Sequence, residues 1–324
     1  MNVLPKAKQV AVIAALTEGC SIRATERLTD THRDTIMRLG VRVGEGCARL
    51  HDGMMRNLQV NLIQMDEQWA FIGKKQKRVR KDDPRELGDC YVWIALDSTS
   101  KAVLSYVVGK RSPDNALRVC ADLRARVLNR PQVSTDGLPA YVAAMDLTFG
   151  PSGADFGQIT KVYAAAKGNE AAIRYSPGEV ISVEKAVIMG DPDQNEISTS
   201  HVERFNLTTR MHMRRFTRLT SGFSKKLSHH QAALALHFAW YNLCRVHETL
   251  RVTPAMALSV TDHIWTIEEL LDAALSASAP TPLPTPGQQM FKGMSAGAAK
   301  GERKGTKIGP AGRSGLRVIK GGIQ

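Results

Sequence analysis

An α/β core, with a helical module before it and a basic tail behind it, is the fold class this sequence predicts. Three observations predict it. The hydrophobic spacing is helical over roughly residues 1–58, becomes strand-like from Val60, and then alternates between helix and strand to about residue 275. Beyond Ser276 the chain turns to Ala, Pro, Thr, Gly and basic residues. A hydrophobic content of 43% over 324 residues is ample for a buried core.

From Pro5 to about Leu39 the helical pattern breaks twice, at Glu18-Gly19-Cys20-Ser21 and at Thr29-Asp30-Thr31-His32. Ser21 and Thr31 are suitable N-caps for the helices that follow. Three short helices with tight turns fit a helix-turn-helix. Ile22–Leu28 would position it, and His32–Leu39 would enter the major groove with Thr31, Arg33, Asp34 and Arg38 facing DNA. A plain helical packing or dimerisation domain fits the same pattern. Gly40 to Arg56 continues as a polar helix or linker.

Leu62–Ile72, Tyr91–Leu96 and Ala102–Val108 read as three strands, rich in β-branched and aromatic residues. Pro113–Leu128 is helical, and Gln132–Thr135 is a short strand that ends at Asp136-Gly137. Three strands in meander order, a crossover helix and a fourth strand ending in an acid form the opening of a ribonuclease H-like, integrase-type α/β fold. The right-handed crossover sets the fourth strand beside the first, so that Asp66 and Asp136 meet. Ile159–Ala164 and Val180–Met189 read as further strands, within an inserted hairpin around 150–195. Ser198–Arg218, Ser228–His247 and Thr266–Leu275 read as helices.

Lys and Arg number 44 against 31 acids, a net charge of +13, which points to nucleic acid or an anionic membrane as partner. No apolar run is long enough to span a bilayer and no signal-peptide pattern opens the chain, so a cytoplasmic, non-membrane protein is expected. Cys20, Cys47, Cys90, Cys120 and Cys244 are scattered without a Cys-x-x-Cys pair and read as free thiols. His229, His230, His237 and His247 lie near Cys244, but the apolar run Ala232–Trp240 makes an ordinary helix the better reading than a zinc site. The tail, residues 276–324, carries eight Lys and Arg against Glu302 alone. It reads as disordered, either attracting phosphates or solubilising the chain.

Asp66, Asp136 and Glu203 are the candidate catalytic, metal-binding residues: one on a strand, one at a strand end, one on a helix. Phosphodiester chemistry at neutral pH is served by Mg²⁺ or Mn²⁺, hard cations that take carboxylate oxygens. Asp66 is costly to bury without a metal or partner, whereas Glu67 points to the opposite face by strand alternation. Asp136 stands where Gly137 frees the backbone to turn. Glu203 shares a helix face with Asn206 and Arg210, and Arg204, Arg214, Arg215 and Arg218 make that segment basic. A solvated helix with a local salt bridge is the plainer alternative. Asp97, between the second and third strands, reads as a turn residue. Lys74, Lys75, Lys77 and Arg78 form a basic run, with Arg80 and Lys81, that would track a DNA backbone. With Arg33, Arg38, Arg204, Asn206, Arg210, Arg214 and Arg215 they make the candidate DNA-binding set. Trp69 and Phe71 read as core residues rather than base-stacking platforms.

The chain resembles bacterial insertion-sequence DDE transposases of the type carried by the first-described insertion sequence. The resemblance rests on Met65-Asp66-Glu67-Gln68-Trp69-Ala70-Phe71-Ile72-Gly73-Lys74-Lys75, on Thr135-Asp136-Gly137-Leu138-Pro139-Ala140-Tyr141, and on Val202-Glu203-Arg204-Phe205-Asn206 with the arginines and Gly222-Phe223-Ser224-Lys225 that follow. Tyr241-Asn242-Leu243-Cys244-Arg245-Val246-His247-Glu248-Thr249-Leu250 looks like a helix end of integrase-like transposases. The resemblance spans roughly residues 60–250. It implies an integrase-like core in which Asp66, Asp136 and Glu203 bind two divalent ions. Water would cut at the element's ends, and the freed 3′-hydroxyl would then attack target DNA. It further implies double-stranded DNA as partner, a homo-oligomer on that DNA, and a bacterial, nucleoid-associated location. Two departures stand out. The cysteines support no N-terminal zinc segment, and the gap from Asp136 to Glu203 is long, which leaves Glu196 and Glu184 as fallback acids. A ribonuclease H-like nuclease without strand transfer, or a domesticated, non-catalytic DNA-binding protein, are the competing functions.

Overall fold

The computed structural model describes residues 4–163, 180–217 and 220–277. The expected tail, and Arg218, lie outside the described residues. In chain order the elements are α1 (Lys6–Thr17), α2 (Ile22–Thr29), α3 (Arg33–Met54), β1 (Leu62–Ile72), β2 (Gly88–Asp97), β3 (Val103–Gly109), α4 (Pro113–Arg124), β4 (Gln132–Asp136), α5 (Pro139–Thr148), β5 (Asp155–Tyr163), β6 (Val180–Met189), α6 (Ser200–His212), α7 (Leu227–Leu243) and α8 (Ile267–Ser276). Among the described residues no helix is long and apolar enough to cross a membrane.

The strands form one mixed sheet in the order β3-β2-β1-β4-β5-β6. β1, β2 and β3 pair antiparallel, as a meander does, and β4 lies parallel to β1 after the α4 crossover. β5 runs parallel to β4, and β6 returns antiparallel along the edge. The meander and crossover are therefore as the sequence predicts. Alternation then divides the side chains of β1 between two faces. Gln64 and Gln68 face α6: the Gln64 Oε1 accepts from the first-turn amides of His201 (2.8 Å) and Val202 (3.1 Å), and the Gln68 amide donates to the Asn206 carbonyl (2.9 Å). On the other face, Trp93 of β2 meets Tyr141 of α5 edge-on at 5.6 Å. Both rings are fully buried. α5 has no counterpart in the sequence reading, because its apolar residues follow no clear face; Pro139 at its first turn is the local start signal.

The N-terminal turns follow from capping chemistry. Ser21 accepts from the Ala24 amide and starts α2, and Asp30, with φ of 48°, closes it in the left-handed region. His32, not Thr31, caps α3: its Nδ1 accepts from the Asp34 amide, while the Thr31 hydroxyl donates back to the Thr29 carbonyl. α3 runs 22 residues, so of the two readings of Gly40–Arg56 the helix holds as far as Met54 and the linker does not. Ile36, Leu39, Val43 and Cys47 recur at helical spacing and are buried. Gly44 and Gly46 let α3 press against α7 and α8, since a Cβ at either would strike the carbonyl of Ala232 or Ala274. Two interior glycines cost about 1 kcal/mol each in a helix, and close backbone packing offsets that cost. Near its end α3 reaches the sheet edge, where His51 Nε2 lies 3.0 Å from the Val103 carbonyl.

On the same edge, Asn242 of α7 bonds both backbone groups of Val103 (3.0 and 2.9 Å), so β3 begins in a side-chain pairing instead of an open ladder. Asp97 has the expected turn role: its Oδ2 accepts from the Ser100 amide and hydroxyl. Gly44→Ala is expected to cost about 1–3 kcal/mol by overpacking at Ala232. A lowered urea midpoint with an unchanged m-value measures it, and an unchanged midpoint would contradict the close packing.

Candidate metal centre

β4 ends where the site begins. It pairs with β1 only from Leu62 to Met65, while β1 continues to Ile72. The next partner on that edge of β1 is Ser224, which bridges Ile72 and accepts from the Gly73 amide at 2.8 Å. Between Met65 and Ile72 the edge is a notch in the sheet, and the carboxylates gather at its inner end.

Asp66, Glu67 and Asp136 each bring a carboxylate oxygen within 4.8 Å of the others. Asp66 and Asp136 meet as expected. Glu67 joins them from the opposite face, because beyond the end of β4 no neighbouring backbone separates the two faces of β1. Strand alternation holds for the Cβ direction, yet it does not keep Glu67 out of the group.

Each acid has distinct partners. The Asp66 Oδ1 accepts from the Glu67 amide at 2.8 Å, and its Oδ2 accepts from the Asn206 side chain at 2.7 Å. Burial raises its pKa above the ordinary value, opposed by the Glu67 amide and reinforced by the charges of Asp136 and Glu203. Glu67 has a side chain only 2% exposed, held by the Arg111 guanidinium at 2.7 Å and by the Tyr141 hydroxyl, which donates at 3.1 Å. Burial first, then the Asp136 charge, pushes its carboxyl up to about 7. Asp136 is 40% exposed, and its Oδ1 accepts from the Leu138 amide at 3.1 Å. Arg111 stands 3.7 Å from its Oδ2. Gly137 has a different purpose from the one expected: a Cβ there would lie 2.7 Å from Thr160 Oγ1, so it permits close approach of β5.

Glu203 stands outside the group of three. Its Oε1 accepts from Thr199 (2.7 Å) and pairs with Lys161, although its charge is still felt at Asp66. Glu184 and Glu196 are exposed and also outside the group.

The candidate DNA contacts separate by location. Arg33 and Arg38 are exposed on α3, Lys75, Lys77 and Arg78 on the loop after β1, and Arg204 and Arg214 on and after α6. Lys74 is paired with Asp83 and Arg210 is half-buried. Asn206 is buried on Asp66, and the half-buried Arg215 donates to Ser224 Oγ at 3.0 Å. These two side chains build the site's walls rather than its surface. A cavity of about 850 Å³ lies apart from the acids, between the N-terminal helices and the segment after α6, with Arg23, Arg214, Arg215 and Lys225 on its lining.

Arg111, Tyr141, Gln64 and Gln68 were missed in the sequence. Polar residues at 64, 66 and 68, every second position of β1, were the available signal for the glutamines. Nothing local marked Arg111. Trp69 and Phe71 also differ from expectation: Trp69 is 40% exposed, and the two rings lie 5.7 Å apart. His230 and His237 are buried, which lowers both to about 3, while His229 and His247 are half-buried; among the described residues no His or Cys cluster is placed to hold a metal.

No protein-family model matches the sequence, and no curated protein matches it. Solved structures do. A piggyBac transposase synaptic complex with hairpin DNA is similar at 10% identity and a TM-score of 0.37, over 93% of this chain and 77% of that one. A Mos1 transposase strand transfer complex is similar at 14% identity and a TM-score of 0.21, over 73% and 78%. An Argonaute from Aquifex aeolicus is similar at 11% identity and a TM-score of 0.26, over 56% and 28%. All superpose weakly, and the functional reading rests on the site's own residues.

Three oxygens from carboxylates so close together fit a hard divalent cation, which replaces their mutual repulsion with attraction. Without metal, Glu67 ionises near 4.5 in the unfolded chain but near 7 when folded. The unfolded chain then binds fewer protons in that window, so the contribution of Glu67 to stability falls as pH rises from about 4.5 through 7, and Asp66 adds in the same direction. The lowered pKa values of His230 and His237 contribute the opposite slope below about 6.5. The test is therefore the difference between wild type and Glu67→Gln in EDTA: the wild-type melting temperature is expected to fall relative to the variant's between pH 4.5 and 7, with millimolar Mg²⁺ restoring it at pH 8. A pH-independent difference would count against the buried Glu67 carboxyl.

Proposed function

We propose that this chain is a DDE-type DNA transposase, a metal-dependent polynucleotidyl transferase that cuts at element ends and joins the 3′-hydroxyl to target DNA. The observation that carries the reading is the group Asp66, Glu67 and Asp136 at an open sheet edge in a chain of net charge +13. Clustered acids in a strongly basic protein suit a site where cations and a phosphodiester meet. The strand order and the motif resemblance support a ribonuclease H-like core of the insertion-sequence type.

In this reading Asp66 and Asp136 hold the cation, Mg²⁺ or Mn²⁺. The family pattern makes Glu203 the third acid, which requires its carboxylate to leave Lys161; Glu67 is the third carboxylate already at hand. When bound, such a cation supplies Lewis acidity towards a phosphoryl oxygen. Asn206 and the Glu67 amide fix the orientation of Asp66. Tyr141 remains a proton donor to Glu67, its own pKa raised well above the ordinary value by burial. Arg111 reaches the mouth of the notch as a cation available to a phosphate. Hydrolysis and strand transfer are both in-line phosphoryl transfers and need only one such site. The exposed basic residues Arg33, Arg38, Lys75, Lys77, Arg78, Arg204 and Arg214 take the DNA backbone, with α2 and α3 as the end-reading helix-turn-helix. The active form is a homo-oligomer that holds two ends.

Purified protein with labelled inverted-repeat DNA from the borders of its gene is expected to yield cleaved and joined products only with Mg²⁺ or Mn²⁺. Asp136→Asn should lower product formation on the order of a hundredfold or more while leaving DNA binding intact. Cleavage without joining would favour the nuclease. Tight binding with no cleavage under any metal condition would favour a domesticated DNA-binding protein.

A further inference from the structure

Along the notch, on the face that carries Glu67, β1 continues with Trp69 and Phe71 at every second position. Residues two apart on a strand are about 7 Å apart, so the two rings lead away from the acids in regular steps. Trp69 is 40% exposed and 5.7 Å from Phe71, and Phe71 is 4.6 Å from Phe223 in the loop that closes the notch. Lys225 caps the far end with its ammonium 2.9 Å from the centre of the Phe223 ring. At the near end Arg111 lies 6.0 Å over Tyr91, the cross-strand partner of Trp69, and is bonded to Glu67. Packing accounts for Phe71 and Phe223, which seat the loop on the strand. It does not account for an indole left open to solvent between them and the carboxylates.

We propose that this row is a stacking platform for unpaired bases of a DNA strand whose phosphate lies at the carboxylate group. The proposal rests on the DNA reading above and adds the state of the substrate: the strand is separated from its complement beside the site. Bases of any sequence stack on aromatic faces, and the flanking cations, Arg111 and Lys225, match the charge of the backbone between them. A duplex cannot present a base face to Trp69, because its bases are stacked on one another. An apolar protein partner would gain nothing from the two cations that bracket the row.

The full-length protein in EDTA, where the proposed cleavage cannot proceed, is titrated into labelled oligothymidine and into a duplex of equal length, and fluorescence anisotropy gives both affinities. Trp69→Ala is expected to weaken oligothymidine binding roughly 5- to 100-fold, to leave duplex binding unchanged, and to melt like the wild type. Trp69→Phe should restore most of the loss. Equal weakening of both DNAs, or of neither, would overturn the platform. So would failure of Trp69→Phe to recover single-strand binding, or a preference for oligouridine over oligothymidine. Duplex binding without any single-strand binding would remove the platform and leave the transposase reading standing, whereas failure to bind either DNA would remove both.

Discussion

Carboxylates held within 4.8 Å of one another repel, and much of the structure around the notch is arranged to hold them there. Each acid is stabilised from a different element. The Asp66 oxygens take a backbone amide from β1 and an amide side chain from α6, Glu67 takes Arg111 and Tyr141, and Asp136 takes the amide two residues on. Burial first, and the neighbouring charges after it, outweigh these donors, which is why Asp66 and Glu67 both keep protons at higher pH than ordinary carboxyls. A cation bound there would complete what the donors begin.

The same constraint explains why α6 is docked so firmly. Gln64 and Gln68, on either side of Asp66, bond α6 at its first turn and at Asn206. Those contacts fix the helix against the strand at the height of the carboxylate, so that Asn206 meets Asp66. Three successive inward positions on β1 are polar, at a cost to the core, and every one is spent on the α6 side of the site. Firm docking elsewhere follows a different rule. α3 joins α7 and α8 by removing side chains at Gly44 and Gly46 instead of adding polar contacts. That ties the N-terminal helices to α7 and α8.

Much of the sheet was legible in the sequence because strand periodicity and turn residues are local. β1 and β6 match their expected bounds, and β4 was expected to end at Asp136. The helical boundaries were less legible. Gly40–Arg56 was left open between helix and linker; glycines at 44 and 46 weaken a helix locally, and the facing backbones of Ala232 and Ala274 make them favourable. α5 was missed for the opposite reason: it is apolar without a marked face, and sequence gives such a segment no preferred side.

For the site, the identity of Asp66 and Asp136 and their meeting across β1 and β4 could be read from the chain alone, because the crossover rule fixes which strands become neighbours. The sequence likewise determined the basic character of the protein. Only the tertiary structure decided which third carboxylate stands with them. Alternation assigns side chains to faces of an ideal strand, but β4 stops at Asp136, and past that end Glu67 reaches round to the same point. The partners that hold it, Arg111 and Tyr141, come from 44 and 74 residues away. No local pattern encodes contacts at that range, since they exist only once the sheet and α5 have packed.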